Sequence, residues 1–373
     1  MSAAIEPFRI AIPQSELDDL ANRLAATRWP AVETVDDWSQ GAPTIKVRAL
    51  IDYWRTGYDW RRCEAALNAW PQFRTTIDGL GIHFIHARSP RADAIPLLLT
   101  HGWPGSVIEF LKVIGPLTDP AEGPAFHVIA PSLPGYGFSD KPTTTGWGVE
   151  KIAAAWIELV RRLGYDRFVA QGGDWGAAVT TGIAMAAPPE LAGIHLNMPL
   201  VFPEAGDFAD LTPAEQKTVA SMQYYQDKDA GYAKLQGTRP QTLGYALADS
   251  PVGQAAWIYE KVQAWTDNDG SPESALTLDE ILDMVMLYWL PNSGASSGRL
   301  YWESADAFKA SRLDLPVGVS IFPREIFRPS RRWAERSYPQ LIHWNEPAKG
   351  GHFAAYEQPE LFVKEVRDCF AKL

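Results

Sequence analysis

The distribution of apolar positions changes character four times along the 373-residue chain. Near the N-terminus it is helical. Leu17, Leu20 and Leu24 fall on one face behind Ser15 and Asp18, which are spaced as a capping box. Trp-rich helical pieces around Trp54, Trp60 and Trp70 continue this pattern to about residue 70. From residue 72, FRTTIDGLGIHFIHAR alternates about Asp78-Gly79 and predicts a hairpin. The next runs are apolar throughout: IPLLLT (95–100), FHVIAP (126–131), RFVAQ ahead of a Gly pair, and LAGIHLN (191–197). Helical patterns separate them, the longest over about 149–163. Strands without a polar face, alternating with helices, predict a parallel sheet covered on both sides.

Between about 200 and 305 the strand signal disappears. Thr212, Pro213 and Glu215 form a strong helix start, with an N-cap, a proline at the first helical position and a capping-box acid. Further helices are predicted over 251–265 and 278–289. Strand rhythm returns in LPVGVSIFP (315–323) and LIHWN (341–345), and a last helix starts near 359. The organisation read from this is an N-terminal helical covering segment (1–70), an α/β core in two parts (71–200 and 306–373), and an inserted helical cap (201–305).

Composition narrows the setting. Lys and Arg number 34 against 45 Asp and Glu, a net charge of −11 with no basic cluster, which argues against nucleic acid and anionic membrane surfaces. Two cysteines, Cys63 and Cys369, are too few for a disulfide framework and fit a reducing compartment. The first residues have no signal-peptide pattern, and no apolar run is long enough to span a bilayer. A soluble, cytoplasmic protein is expected. Oligomeric state stays open, a homodimer included. Fifteen Trp, 13 Tyr and 15 Phe suit either a large core or an aromatic-lined pocket.

The candidate chemistry centres on FVAQGGDWGAAV, residues 168–179. A buried strand, two glycines, an acid, another glycine and a small-residue helix form the strand–turn–helix of a nucleophile elbow, with Asp174 where an α/β-hydrolase usually carries Ser. Glu325 follows the 315–323 strand and His352 follows the 341–345 strand. Nucleophile, acid and His therefore come in the chain order of α/β-hydrolase triads, at strand ends where open sheets place their chemistry. An α/β-hydrolase fold with a mostly parallel central sheet is expected. HGWPGS (101–106) is similar to an oxyanion loop, so the backbone N–H groups of Trp103 and Trp175 are candidate oxyanion donors. The remaining histidines do not pair as ligands. His83 and His86 sit at opposite-face spacing, and His127, His195 and His343 lie inside strand patterns.

A carboxylate nucleophile needs no base and suits displacement at a saturated carbon, leaving an alkyl ester. His352, oriented by Glu325, would then activate water against that ester. Two electrophiles fit, an epoxide or an alkyl halide. An epoxide oxygen needs an acidic donor, and the cap region offers Tyr224, Tyr225, Tyr232, Tyr245, Tyr259, Tyr288 and Tyr301 without distinguishing among them.

The whole chain resembles epoxide hydrolases of the microsomal-type branch. The N-terminal stretch IEPFRIAIPQSELDDLANRLAATRWP carries this resemblance, as do HGWPGS, PSLPGYGFS, QGGDWG, GYAKLQGTRP, DSPVGQAAWI, MLYWL and GGHFAAYEQPE, in family order. The resemblance implies Asp174 as nucleophile, His352 as water-activating base and Glu325 as relay acid, ahead of Asp314, Glu303, Glu335 and Glu346. It also implies Tyr232 and Tyr301 as the cap tyrosines that polarise the epoxide oxygen. It implies an epoxide and water as substrates and no metal or organic cofactor. Vertebrate members begin with a membrane anchor, and this chain starts at the covering segment, so the resemblance is to soluble relatives. The rival readings are a haloalkane dehalogenase with the same triad and a non-catalytic ligand-binding homologue.

Overall fold

The computed structural model describes residues 4–373. Nine strands form one sheet: β1 (Glu6–Phe8), β2 (Gln72–Ile77), β3 (Leu80–Ala87), β4 (Ile95–Thr100), β5 (Phe126–Pro131), β6 (Phe168–Gly172), β7 (Leu191–Leu196), β8 (Val317–Ser320) and β9 (Leu341–Asn345). Their spatial order is β1-β2-β3-β5-β4-β6-β7-β8-β9. The pairs from β1 to β5 are antiparallel, and every pair from β5 through β4 to β9 is parallel. The fold is that of an α/β hydrolase, as expected.

The hairpin between β2 and β3 turns at Asp78 and Gly79, both at positive φ (49° and 80°), which an Asp-Gly pair tolerates well. In the parallel part, helices on both faces bury the central strands completely. Leu97, Leu98 and Leu99 of β4 and Val169 and Ala170 of β6 have no exposed surface. That is why these runs lack polar alternation.

Two details differ from the sequence reading. The first strand, Glu6–Phe8, joins the sheet edge against β2 although the N-terminal stretch reads as helical. The first helix, Gln14–Ala25, has Pro13 as its N-cap and no side-chain cap. Ser15 thus lies inside the first turn, and Asp18 accepts a hydrogen bond from Gln14 Nε2 (3.0 Å) instead. Leu20 and Leu24 are buried and Leu17 half-buried.

Residues 213–303 contribute helices only, among them Pro213–Tyr224, Gly231–Thr238, Pro251–Trp265, Leu278–Trp289 and Gly294–Glu303. The first starts with the predicted Thr212–Glu215 capping box. A single π-helical turn, Tyr225–Asp229, joins it to the helix Gly231–Thr238. The N-terminal segment clamps the helix Leu278–Trp289 through its acids. Tyr53 Oη donates to Asp279 (3.0 Å), and Tyr58 Oη and Arg62 both donate to Asp283 (2.7 Å each). Both cysteines are free and buried. No helix among the described residues is long and apolar enough to cross a membrane.

Candidate active site

Strand β6 ends at Gly172, and the helix Trp175–Ala186 starts three residues later. Asp174, between them, takes φ 51° and ψ −129°, a conformation costly for a residue with a side chain. The turn is tight enough to exclude other residues around it. A Cβ on Gly172 would come within 2.1 Å of Gly176 O, and one on Gly176 within 1.9 Å of Thr100 O. The helix therefore begins directly against β4 and β6, and the Asp174 carboxylate is lifted above the sheet.

One carboxylate oxygen is spoken for. Trp103 N donates to Asp174 Oδ1 at 2.8 Å. The loop that presents this amide is fixed by His101, whose Nε2 accepts from Leu133 N (3.1 Å) while Nδ1 faces Gly102 O (2.9 Å). Burial pushes His101 down to about 4, so the ring is neutral and serves to shape the turn. The Trp103–Pro104 peptide is cis. The Trp175 amide opens its helix and donates no hydrogen bond to the carboxylate.

The other oxygen, Oδ2, lies 3.4 Å from His352 Nε2. His352 follows β9, with its amide anchored on Trp265 O (2.9 Å). Its Nδ1 meets Glu325 Oε1 at 2.6 Å, and that oxygen also accepts from Ile326 N (2.8 Å). Asn197, just past β7, donates to Glu325 Oε2 (3.4 Å) and accepts from Gln171 Nε2 (2.8 Å). Burial opposes charge on His352, but Glu325 and Asp174 outweigh it and hold the imidazole well above its ordinary range. The competing acids lie elsewhere. Glu303 receives Gly146 N, Asp314 pairs with Arg312, Glu335 with Arg331, and Glu346 receives the Trp344 indole.

Tyr232, on the helix Gly231–Thr238, and Tyr301, on the helix Gly294–Glu303, are both buried over this floor. The Tyr232 ring stacks on Trp103 (centroids 4.8 Å, planes 10° apart), and Tyr301 meets the Trp175 ring edge-on at 4.7 Å. The two phenol rings lie 5.8 Å apart. Tyr232 Oη shares a 2.9 Å hydrogen bond with Tyr225 Oη. The Tyr301 hydroxyl is approached by the Trp175 indole N–H without reaching hydrogen-bond geometry. Burial above all raises both phenols well beyond 10, so both are protonated donors at neutral pH.

Between floor and roof lies a cavity of about 520 Å³. Asp174, Tyr232 and Tyr301 face it among Met198, Leu200, Phe202, Phe308, Ile326 and Phe327. A room this apolar, with a few converging polar groups, is built for a small lipophilic molecule.

Sequence reasoning did not single out several residues here. Tyr225 was one tyrosine among seven. Lys261 is buried, pairs with Asp229 (2.6 Å) and Glu260 (2.8 Å), and sets its Nζ 4.8 Å from the Tyr232 ring centre. Asn197 carried no signal. Glu109 could have been found from its Ser106-x-x-Glu spacing, which is a capping box in the structure. The other histidines are structural. His83 is held by Ser132 and Gln72, and His195 and His343 belong to a buried Ser320–Glu365 network. Among the described residues no cluster of three or more His, Cys, Asp or Glu is placed to hold a metal ion.

Residues 5–110 match the family model described as epoxide hydrolase N terminus, and residues 95–242 match the alpha/beta hydrolase fold. A Stigmatella aurantiaca protein that carries an epoxide hydrolase name is 64% identical over 99% of this chain and 85% of its own. Epoxide hydrolase 1 of Sus scrofa is 36% identical over 98% of this chain and 88% of its own. The crystal structure of juvenile hormone epoxide hydrolase from the silkworm Bombyx mori superposes with a TM-score of 0.91 at 31% identity. That match covers 99% of this chain and 95% of the silkworm chain.

Proposed function

Because this chain belongs to the epoxide hydrolases, in their microsomal-type branch, we propose that it converts a lipophilic epoxide to a vicinal diol through an ester on Asp174. In the first step Asp174 Oδ2 attacks an epoxide carbon and the C–O bond breaks. Tyr232 and Tyr301 donate hydrogen bonds to the departing oxygen, where negative charge develops. The covalent product is a hydroxyalkyl ester of Asp174.

The charge balance then favours the second step. Ester formation removes the negative charge of Asp174, one of the two carboxylates that keep His352 protonated. The imidazole pKa falls, and the released proton balances the alkoxide. Neutral His352, its Nδ1–H fixed on Glu325, now takes a proton from water. The water oxygen bonds to the ester carbonyl carbon. The resulting oxyanion develops on Oδ1, already held by Trp103 N, with the free Trp175 amide as second donor. Collapse breaks the bond to Oδ2, His352 returns the proton to the diol, and Asp174 is regenerated.

The observation that carries this reading is the division of the Asp174 carboxylate. One oxygen is held by an amide and the other stands 3.4 Å from His352, while the residue lines an apolar cavity together with Tyr232 and Tyr301. A single turnover of styrene oxide by excess enzyme in ¹⁸O-water tests it. The diol should carry no label, and the heavy oxygen should appear in the peptide containing Asp174. Label in the first-turnover diol would rule out the ester. Chloride release from a chloroalkane, without any diol from epoxides, would indicate the dehalogenase chemistry instead.

A further inference from the structure

Beside the Asp174 carboxylate lies a second, far smaller cavity of about 20 Å³, walled by Asp174, His352, Glu109, Gln171 and Asn197 among others. That volume suits one water molecule, and the walls supply the polar partners a bound water needs. Two of those walls are the reacting pair. The other acidic group, Glu109, sits on the 3₁₀ turn Val107–Phe110. Its Oε1 accepts from Ser106 N (3.0 Å) and is packed so closely that a Cβ on Gly105 would lie 1.5 Å from it. The side chain lines the small cavity together with Asp174 and His352. A carboxyl group fixed through one oxygen thus borders a water-sized space beside the nucleophile.

We propose that this cavity seats the nucleophilic water of the second step, and that Glu109 is the positioning residue that holds it against His352 Nε2 and the Asp174 ester carbon. The inference rests on the covalent reading of the reaction. Once Asp174 is esterified, the alkyl group fills the large cavity, whose apolar walls offer water few partners. Water must then come from the polar side. One O–H of the seated water donates to Glu109 Oε2, and the other proton goes to His352 Nε2 as the oxygen bonds to the carbonyl carbon. Burial above all lifts the Glu109 carboxyl to about 8, against the opposing charge of His352 and with a smaller push from Asp174.

Glu109→Gln tests this. The amide oxygen keeps the bond to Ser106 N, and an NH₂ donor replaces the acceptor facing the cavity. Stopped-flow fluorescence of Trp103 and Trp175, with mass spectrometry of the ester, separates the half-reactions. Ester formation should stay within about threefold of wild type while ester decay slows about 10-fold or more, so kcat and KM fall together and kcat/KM holds. Ser106→Ala, which removes the other half of the capping box, should leave ester decay unchanged. Normal decay in Glu109→Gln, or equal slowing in Ser106→Ala, would overturn the positioning role. If wild type forms no ester at all, the covalent reading itself fails, and this inference with it.

Discussion

His352 Nε2 and Asp174 Oδ2 stand 3.4 Å apart, near enough for their charges to couple and too far for a firm hydrogen bond. In the proposed reaction this spacing lets Asp174 leave its partner for an electrophile and leaves His352 beside the ester carbon, so the two residues would act in successive steps.

Removing the base should separate those steps. In His352→Gln, attack by Asp174 needs no imidazole, so the ester forms and persists. Steady-state turnover should drop by about 10²–10⁴-fold. Intact-protein mass spectrometry should find the enzyme heavier by one substrate. An unmodified protein after incubation with a reactive epoxide would count against the assignment.

The pH dependence of the two steps should differ. In the free enzyme Glu325 and Asp174 hold His352 above its ordinary value, and in the proposed ester the contribution of Asp174 is gone. The hydrolysis rate should rise with pH through an apparent pKa lower than the one the free enzyme shows. Single-turnover decay of the ester across pH 5–9 would reveal a shared pKa if this reasoning were wrong.

Tyr301 and Tyr232 should not be equivalent. Tyr232 has Tyr225 at 2.9 Å as a neighbouring hydroxyl, whereas Tyr301 has no such support. Loss of a donor at a developing oxyanion costs about 10²–10³-fold. Tyr301→Phe should approach that range in the rate of ester formation, Tyr232→Phe should lose less, and the double variant should lose more than either. Wild-type alkylation in the double variant would remove both from the mechanism.

The covering segment is expected to stabilise the cap. Asp283 is buried and accepts from both Tyr58 and Arg62, so Asp283→Ala strands two donors. A cost of about 2–4 kcal/mol is expected in urea unfolding. Asp283→Asn, which keeps one acceptor, should cost less.

Acid stability has a traceable source in Glu365. Burial alone would raise this carboxyl, but bonds from His343, Ser320 and Asn345 outweigh burial and hold it at about 2, against an ordinary 4.5. The native state thus binds this proton less readily than the unfolded chain. The stabilisation is complete above about 4.5 and drains away as pH falls toward 2. Glu365→Gln should be less stable than wild type at pH 6, with the gap narrowing by pH 3.

Much of the core was readable because burial on both faces leaves IPLLLT and FHVIAP almost wholly apolar, and their limits match β4 and β5; those of LIHWN match β9. The Thr212–Glu215 start was equally plain, since capping needs fixed residue types at fixed spacing. Strand β1 was not readable. Three edge residues, two of them exposed, have no room for a pattern. At the site, Asp174, Glu325 and His352 could be ordered because each ends a strand run. Lys261 and Asn197 could not be found, because their surroundings come from segments far apart in the chain. The Ser106-x-x-Glu spacing marks Glu109 as a capping acid, but its place beside Asp174 exists only after the loop has folded.

The arrangement of Asp174 below the cavity and Tyr232 and Tyr301 above it has a stereochemical consequence. A nucleophile on the floor and a proton source on the roof can reach only opposite faces of a strained ring. In the proposed reaction the attacked carbon should invert, and cyclohexene oxide should emerge as the trans diol. Because floor and roof are both fixed, the two mirror-related carbons of that symmetrical substrate meet different walls, so the trans diol should form with one hand in excess.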